Sequence, residues 1–242
     1  ETEIWPNLVR ICRASGIGLL LVNARISDRS FPRYLRVRRW LGPVLRQFDR
    51  LCAQSEDTAD RLRQLGAPED RLVVTGSLKY DVTADPPRGI EDIARQLEGR
   101  PVLLAASTLK GEDETVLDAW RELRESEPDA LLVIAPRHPE RFDTVVSLVE
   151  RSGARVVRRT ALPPGLRAPF DVLVLDTIGE LAAVCAHATV VFVGGSLVQA
   201  GGHNIIEPAL YARPIIVGPS MTNFADITRR FLDAGGLVQV AD

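Results

Sequence analysis

Short apolar runs alternate with amphipathic stretches along nearly the whole chain, and that rhythm constrains the fold more than any single residue does. Segments 18–25 (GLLLVNAR), 50–55 (RLCAQS) and 71–81 (RLVVTGSLKYD) read as strands, and segments 6–15 and 56–66 read as helices. Such apolar runs suit a parallel sheet covered on both faces by crossover helices. Pro6 opens the first helix; Ser55 is placed to cap the second, which Gly66 ends. The residues ETEIWP at the start read as the end of a strand whose body is absent, which suggests a fragment.

The rhythm breaks at 81–89 (DVTADPPRG), where Pro86 and Pro87 mark a linker. It resumes with strands expected at 100–108, 130–138, 154–160, 170–177, 189–195 and 213–219, and helices at 112–126, 139–153, 179–188, 204–212 and around 224–235. The expectation is α/β: two Rossmann-like, doubly wound parallel-sheet domains, 1–84 and 85–242, with ligands at the C-terminal ends of the strands.

Composition removes several function classes. Thirty basic and 32 acidic side chains give a net charge of −2, so no global field recruits nucleic acid or an anionic membrane. Cys12, Cys52 and Cys185 are isolated, which fits a reducing compartment better than a disulfide framework or a zinc site. No apolar run approaches the roughly 18 residues of a membrane-spanning helix. Neither G-x-G-x-x-G after a strand nor G-x-x-x-x-G-K-[ST] occurs, which sets aside dinucleotide-binding oxidoreductases and P-loop NTPases. No Asp-x-Asp is placed to hold a divalent cation, and His138, His187 and His203 are dispersed, so no metal or other cofactor is expected.

Four polar loops follow the apolar runs of the second half: 107–112 (STLKGE), 136–138 (PRH), 177–180 (TIGE) and the glycine-rich stretch within 192–219 (FVGGSLVQAGGHNIIEPALYARPIIVGP). Arg137, between Pro136 and Pro139, is either an ordinary surface arginine or a fixed guanidinium for a phosphate. Ile178, Gly179 and Glu180 precede a helix, so their backbone N–H groups can donate to a ligand, although Glu180 suits a first-turn dipole partner equally well. Gly194, Gly195, Gly201 and Gly202 permit close backbone approach, and Asn204 is a good N-cap for a helix starting at Ile205. Glu207, in the first turn beside Pro208, can accept paired hydrogen bonds from a ribose diol. Guanidinium, helix N-termini and carboxylate together suggest a nucleotide. Glu112, Asp113 and Glu114 read as the start of a helix.

The motifs ETEIWPN, NARISDRS, TGSLKYD, PRHPERF, DTIGEL and FVGGSLVQAGGHNIIEPA, in that order, resemble the 3-deoxy-D-manno-octulosonic acid (Kdo) transferase family. The resemblance implies a GT-B architecture with an N-terminal acceptor domain and a C-terminal donor domain facing a cleft. It also implies metal-free, inverting transfer of Kdo from CMP-Kdo to the lipid A precursor (lipid IVA) in lipopolysaccharide biosynthesis, at the cytoplasmic face of the bacterial inner membrane. Pro136, Arg137, Ile178, Gly179, Glu180, Asn204, Ile205, Ile206 and Glu207 would bind CMP, and Glu1 and Lys79 would stabilise the transition state. Ser107 and His203 are further candidate contacts. The family's general base belongs to a segment preceding ETEIWP, so these 242 residues are expected to bind CMP weakly without turnover.

Within 25–50, arginines interleave with Phe31, Tyr34, Trp40 and Phe48. This is either a solvated helix face or a basic amphipathic surface for lipid A phosphates and an anionic leaflet; no nucleic-acid motif supports RNA binding. Two other functions stay open: a GT-B transferase using a UDP-sugar, which titration with CMP and UDP would separate, and a non-catalytic nucleotide-binding module, against which an upstream glutamate segment would argue.

Overall fold

The computed structural model describes residues 4–78, 81, 89–162 and 169–241. The chain divides into two compact units, 1–82 and 83–242.

In the first unit, α1 (Pro6–Ala14), β1 (Leu20–Ala24), α2 (Phe31–Arg36), α3 (Arg38–Leu45), β2 (Arg50–Ala53), α4 (Glu56–Gln64) and β3 (Leu72–Val74) follow one another. The three strands pair in parallel in the order β1-β2-β3. One sheet face packs Leu21 and Leu51 against Leu45, Leu62 and Leu65, while Leu20, Val22 and Val73 stay exposed. Pro6 opens α1 as the sequence predicts, and Ser55 Oγ accepts the Thr58 N–H at 3.2 Å to start α4. The strand expected over 71–81 is much shorter, because the chain leaves the sheet at Thr75. Ile4 and Trp5 belong to no strand.

The second unit contains α5 (Glu91–Leu97), β4 (Val102–Thr108), α6 (Asp113–Ser126), β5 (Leu131–Pro136), α7 (Phe142–Arg151), β6 (Val156–Arg158), β7 (Val172–Val174), α8 (Leu181–Cys185), β8 (Val190–Val193), α9 (Ile206–Leu210), β9 (Ile215–Val217), α10 (Ala225–Asp233) and β10 (Val238–Gln239). Its strands form one parallel sheet of seven in the order β10-β9-β8-β4-β5-β7-β6. Successive side chains of β4 enter opposite cores. Leu104 and Ala106 pack with Val133, Leu173 and Val191 on one face, while Leu103 and Ala105 pack with Val145, Val149 and the wholly buried Trp120 on the other. The Trp120 indole N–H donates to the Ala130 carbonyl at 3.1 Å. After β4 the chain builds outward through β5 to β7, then returns to lay β8 on the opposite side of β4. That reversal opens a crevice at the C-terminal ends of β4 and β8, the usual ligand position in a doubly wound sheet.

At the opposite end of the strands, Asp171 is nearly buried beneath Arg155, whose Nε and Nη2 each reach it at 2.9 Å, with Arg124 at 3.4 Å. Hydrogen bonds and charge from Arg155 hold this carboxyl down at about 2. A depressed folded-state value stabilises the protein above the unfolded value, near 4, and that contribution fades as pH falls toward 2. Asp171→Asn should therefore cost about 2 kcal/mol at neutral pH, and the gap from the wild type should close by about pH 2, as read from urea unfolding at each pH.

Candidate functional site

The β4–β8 crevice is organised by a carboxylate whose place in the sequence suits the start of a helix. Glu112 is fully buried. Its Oε2 accepts the N–H groups of Leu109 (2.8 Å) and Gly195 (2.7 Å), and its Oε1 those of Ser196 and Leu197 (both 3.0 Å). The loop after β4 thereby holds the glycine loop after β8. Only glycine fits the closest approach: a Cβ on Gly194 would lie 2.5 Å from the Ser107 carbonyl oxygen, and one on Gly218, after β9, 2.4 Å from that of Ser196.

Asp113 fixes the same loop from below. It accepts the Thr108 hydroxyl at 2.7 Å and pairs closely with Arg141, whose Nη1 also donates to the Thr108 carbonyl at 2.8 Å. Burial is the largest influence on Asp113 and raises its carboxyl above the usual range, while Thr108 and Arg141 pull it back. Arg137 contrasts with Arg141: its backbone N–H donates to Thr108 at 3.0 Å, yet its exposed guanidinium has no partner among the described residues. Pro136, the last residue of β5, is buried.

On the same sheet edge, two strands along from β4, the turn 178–180 follows β7. Ile178 is 86% exposed and Gly179 has φ 94°. The Glu180 carboxylate is half-buried and engaged within the protein. It takes three hydrogen bonds from the Arg159 guanidinium at 2.9–3.2 Å and one from the Thr177 hydroxyl. Arg159 also grips Asp92 on α5 at 2.8 Å, so the Glu180 side chain braces the turn.

The third group follows the glycine loop. The helix expected from Ile205 begins at Ile206, and Asn204 stands one place before the capping position. Its Oδ1 accepts the Ile206 N–H at 3.0 Å while its Nδ2 donates to Glu207 Oε1 at 3.2 Å. Ile205 and Ile206 are buried, so their side chains anchor the turn in the core. The His203 ring lies against Gly195, where a Cβ would come within 2.9 Å of it. Its Nε2 is buried without a hydrogen-bond partner; burial first, then Arg137 and His138, lower its pKa against an opposing pull from Glu112.

Glu1 and Lys79 lie outside the described residues. In the first unit the buried Asn23 accepts the Leu78 N–H at 3.1 Å, fixing the chain one residue before Lys79. Among the described residues no three His, Cys, Asp or Glu side chains are grouped to hold a metal ion, and no helix is long and apolar enough to cross a membrane.

The loops around β4 and β8 thus form one bonded piece carrying Arg137, the His203 ring and, through Asn204, Glu207, with the turn 178–180 braced separately. Replacing Glu112 by Gln sets an NH2 group against two of the four backbone donors. Glu112→Gln should cost about 2–4 kcal/mol of stability, measured by urea denaturation.

Residues 1–82 match the family described as 3-deoxy-D-manno-octulosonic-acid transferase (kdotransferase). A 3-deoxy-D-manno-octulosonic acid transferase of Haemophilus influenzae is 37% identical across 99% of this chain and 57% of its own length. One from Bordetella pertussis is 38% identical across 100% of this chain and 57% of its own. The chain therefore spans a little over half the length of these relatives. Among solved structures, the C-terminal CMP-Kdo binding domain of WaaA from Acinetobacter baumannii matches at 35% identity with TM-score 0.57, over 62% of this chain and 81% of that one. The UDP-GlcNAc 2-epimerase of Methanocaldococcus jannaschii, at 15% identity, TM-score 0.62 and 96% and 62% coverage, shares the fold alone. With two Rossmann-like parallel units of GT-B type and these relatives along its whole length, the chain belongs to the 3-deoxy-D-manno-octulosonic acid (Kdo) transferase family.

Proposed function

We propose that the second unit, 85–242 in the boundaries read from the sequence, binds the nucleotide of CMP-Kdo, and that 1–84 belongs to the acceptor side of a glycosyltransferase moving Kdo onto the lipid A precursor. The observation that carries this reading is the unpartnered guanidinium of Arg137 beside a glycine loop already immobilised by Glu112. A fixed bidentate donor suits a phosphate. The 35% identity to a CMP-Kdo binding domain supports the identity of the nucleotide.

Arg137, with Pro136 setting its position, grips the phosphate. The exposed turn of Ile178 and Gly179 offers backbone N–H groups to the base, held in shape by the Glu180–Arg159 pair. Glu207, steadied by Asn204 and anchored by Ile205 and Ile206, accepts the ribose hydroxyls. The reaction is an inverting, metal-independent displacement: the acceptor hydroxyl loses its proton to a carboxylate base and attacks the anomeric carbon as CMP leaves. Lys79 offsets the negative charge that builds on the donor as CMP departs, and Glu1 is assigned a transition-state role by sequence likeness alone.

A titration separates the possible donors. CMP should bind this chain more tightly than UMP or UDP, and Arg137→Ala should weaken CMP binding by about tenfold or more, the worth of a lost charge-assisted contact. Equal binding of the uridine nucleotides would point to a UDP-sugar transferase instead.

The acceptor side meets an anionic membrane surface on its cytoplasmic face. Arg36, Arg38 and Arg39 are exposed on and beside α2 and α3, next to Trp40 at 82% exposure. Basic side chains flanking an exposed indole suit the headgroup region. Replacing Arg36, Arg38 and Arg39 together by Ser should weaken binding to phosphatidylglycerol-containing vesicles by roughly 1 kcal/mol per arginine, read by co-sedimentation.

A further inference from the structure

Ser107 is where β4 departs from regular strand geometry. The ladder to β5 pairs Ala106 with Ala135 and Thr108 with Pro136, a register shift that leaves Ser107 as a bulge. Its φ is 57°, in the left-handed region that disfavours any residue with a Cβ. Bulges beside sites commonly re-aim a side chain, and strained backbone survives only where its surroundings enforce it.

The surroundings do enforce it. Behind Ser107, Gly194 leaves no room for a Cβ against its carbonyl oxygen. Ahead of it, the Thr108 hydroxyl is held by Asp113, and the Thr108 carbonyl by Arg137 N–H and Arg141 Nη1. Leu109 N–H is held by Glu112. Three non-glycine residues have positive φ among the described ones: Asn23, Ser107 and Ala212. Asn23 uses its side chain to fix Leu78, and Ala212 has no polar group. The hydroxyl of the half-buried Ser107 has no hydrogen-bond partner among the described residues.

We propose that Ser107 is a further donor-binding residue, whose hydroxyl donates to the same phosphate that Arg137 grips. This rests on the nucleotide reading above. Ser107 stands one residue before the end of β4, with its carbonyl oxygen against Gly194 of the loop after β8, and the bulge takes it out of the regular alternation of the strand. Conformational strain at this position is thus coupled to ligand binding, and removing it trades one for the other.

The test uses the 242-residue chain, with Ser107→Ala and Ser107→Gly compared by calorimetric titration with CMP and with cytidine, and by thermal unfolding. Ser107→Ala should lower CMP affinity about tenfold while cytidine affinity holds, so the CMP-to-cytidine ratio falls. Ser107→Gly should lose the same CMP affinity yet melt about 2–4 °C higher, because glycine adopts this φ freely. If either variant keeps the wild-type CMP-to-cytidine ratio, the assignment of Ser107 is overturned and the nucleotide reading stands. If the wild type binds neither compound, both fall.

Discussion

One buried carboxylate makes the crevice of the second unit a single piece. Glu112 collects four backbone N–H groups from two loops whose residues stand more than 80 positions apart in the chain. Buried polar backbone must find partners, and a turn rich in glycine is costly to order. A side chain that satisfies the amides of Gly195, Ser196 and Leu197 at once meets both demands. Glycine at 194 and 218 is required for the same reason, since the loops could not otherwise come close enough to be clasped.

Around that clasp the arginines divide by employment. Arg141, Arg155 and Arg159 are committed to acids and carbonyls, and each ties one element to another. Arg137 is anchored by its backbone alone and leaves its guanidinium unspent. Ser107 repeats the pattern on a smaller scale, with a fixed main chain and an unengaged polar tip. A scaffold that fixes the backbone and leaves the side-chain tips unpaired is the kind of preorganisation that the proposed phosphate contact requires.

What could be read from the sequence was local. The alternation of strand and helix was legible because side-chain periodicity encodes it directly, and so was the Ser55 cap, whose acceptor and donor lie three residues apart. The start of α9 was misplaced by one residue, because Asn204 bonds the N–H two positions ahead instead of capping from the usual place. Long-range partnerships were not legible. Nothing in G-E-D-E distinguishes a first-turn acid from one that turns back to a loop on the neighbouring strand. Likewise the choice for Glu180 between ligand and dipole overlooked Arg159, which reaches it across β6 and β7.

The placement of the indoles has an optical consequence. The chain has three tryptophans. Trp120 is sealed in the core of the second unit, while Trp5 and Trp40 of the first are 62% and 82% exposed. Blue-shifted emission therefore belongs to Trp120, and its loss on heating signals the melting of the seven-stranded unit; the two solvated fluorophores already emit as they would from an unfolded chain. Intrinsic fluorescence thus reports on the second unit of this protein without any label attached.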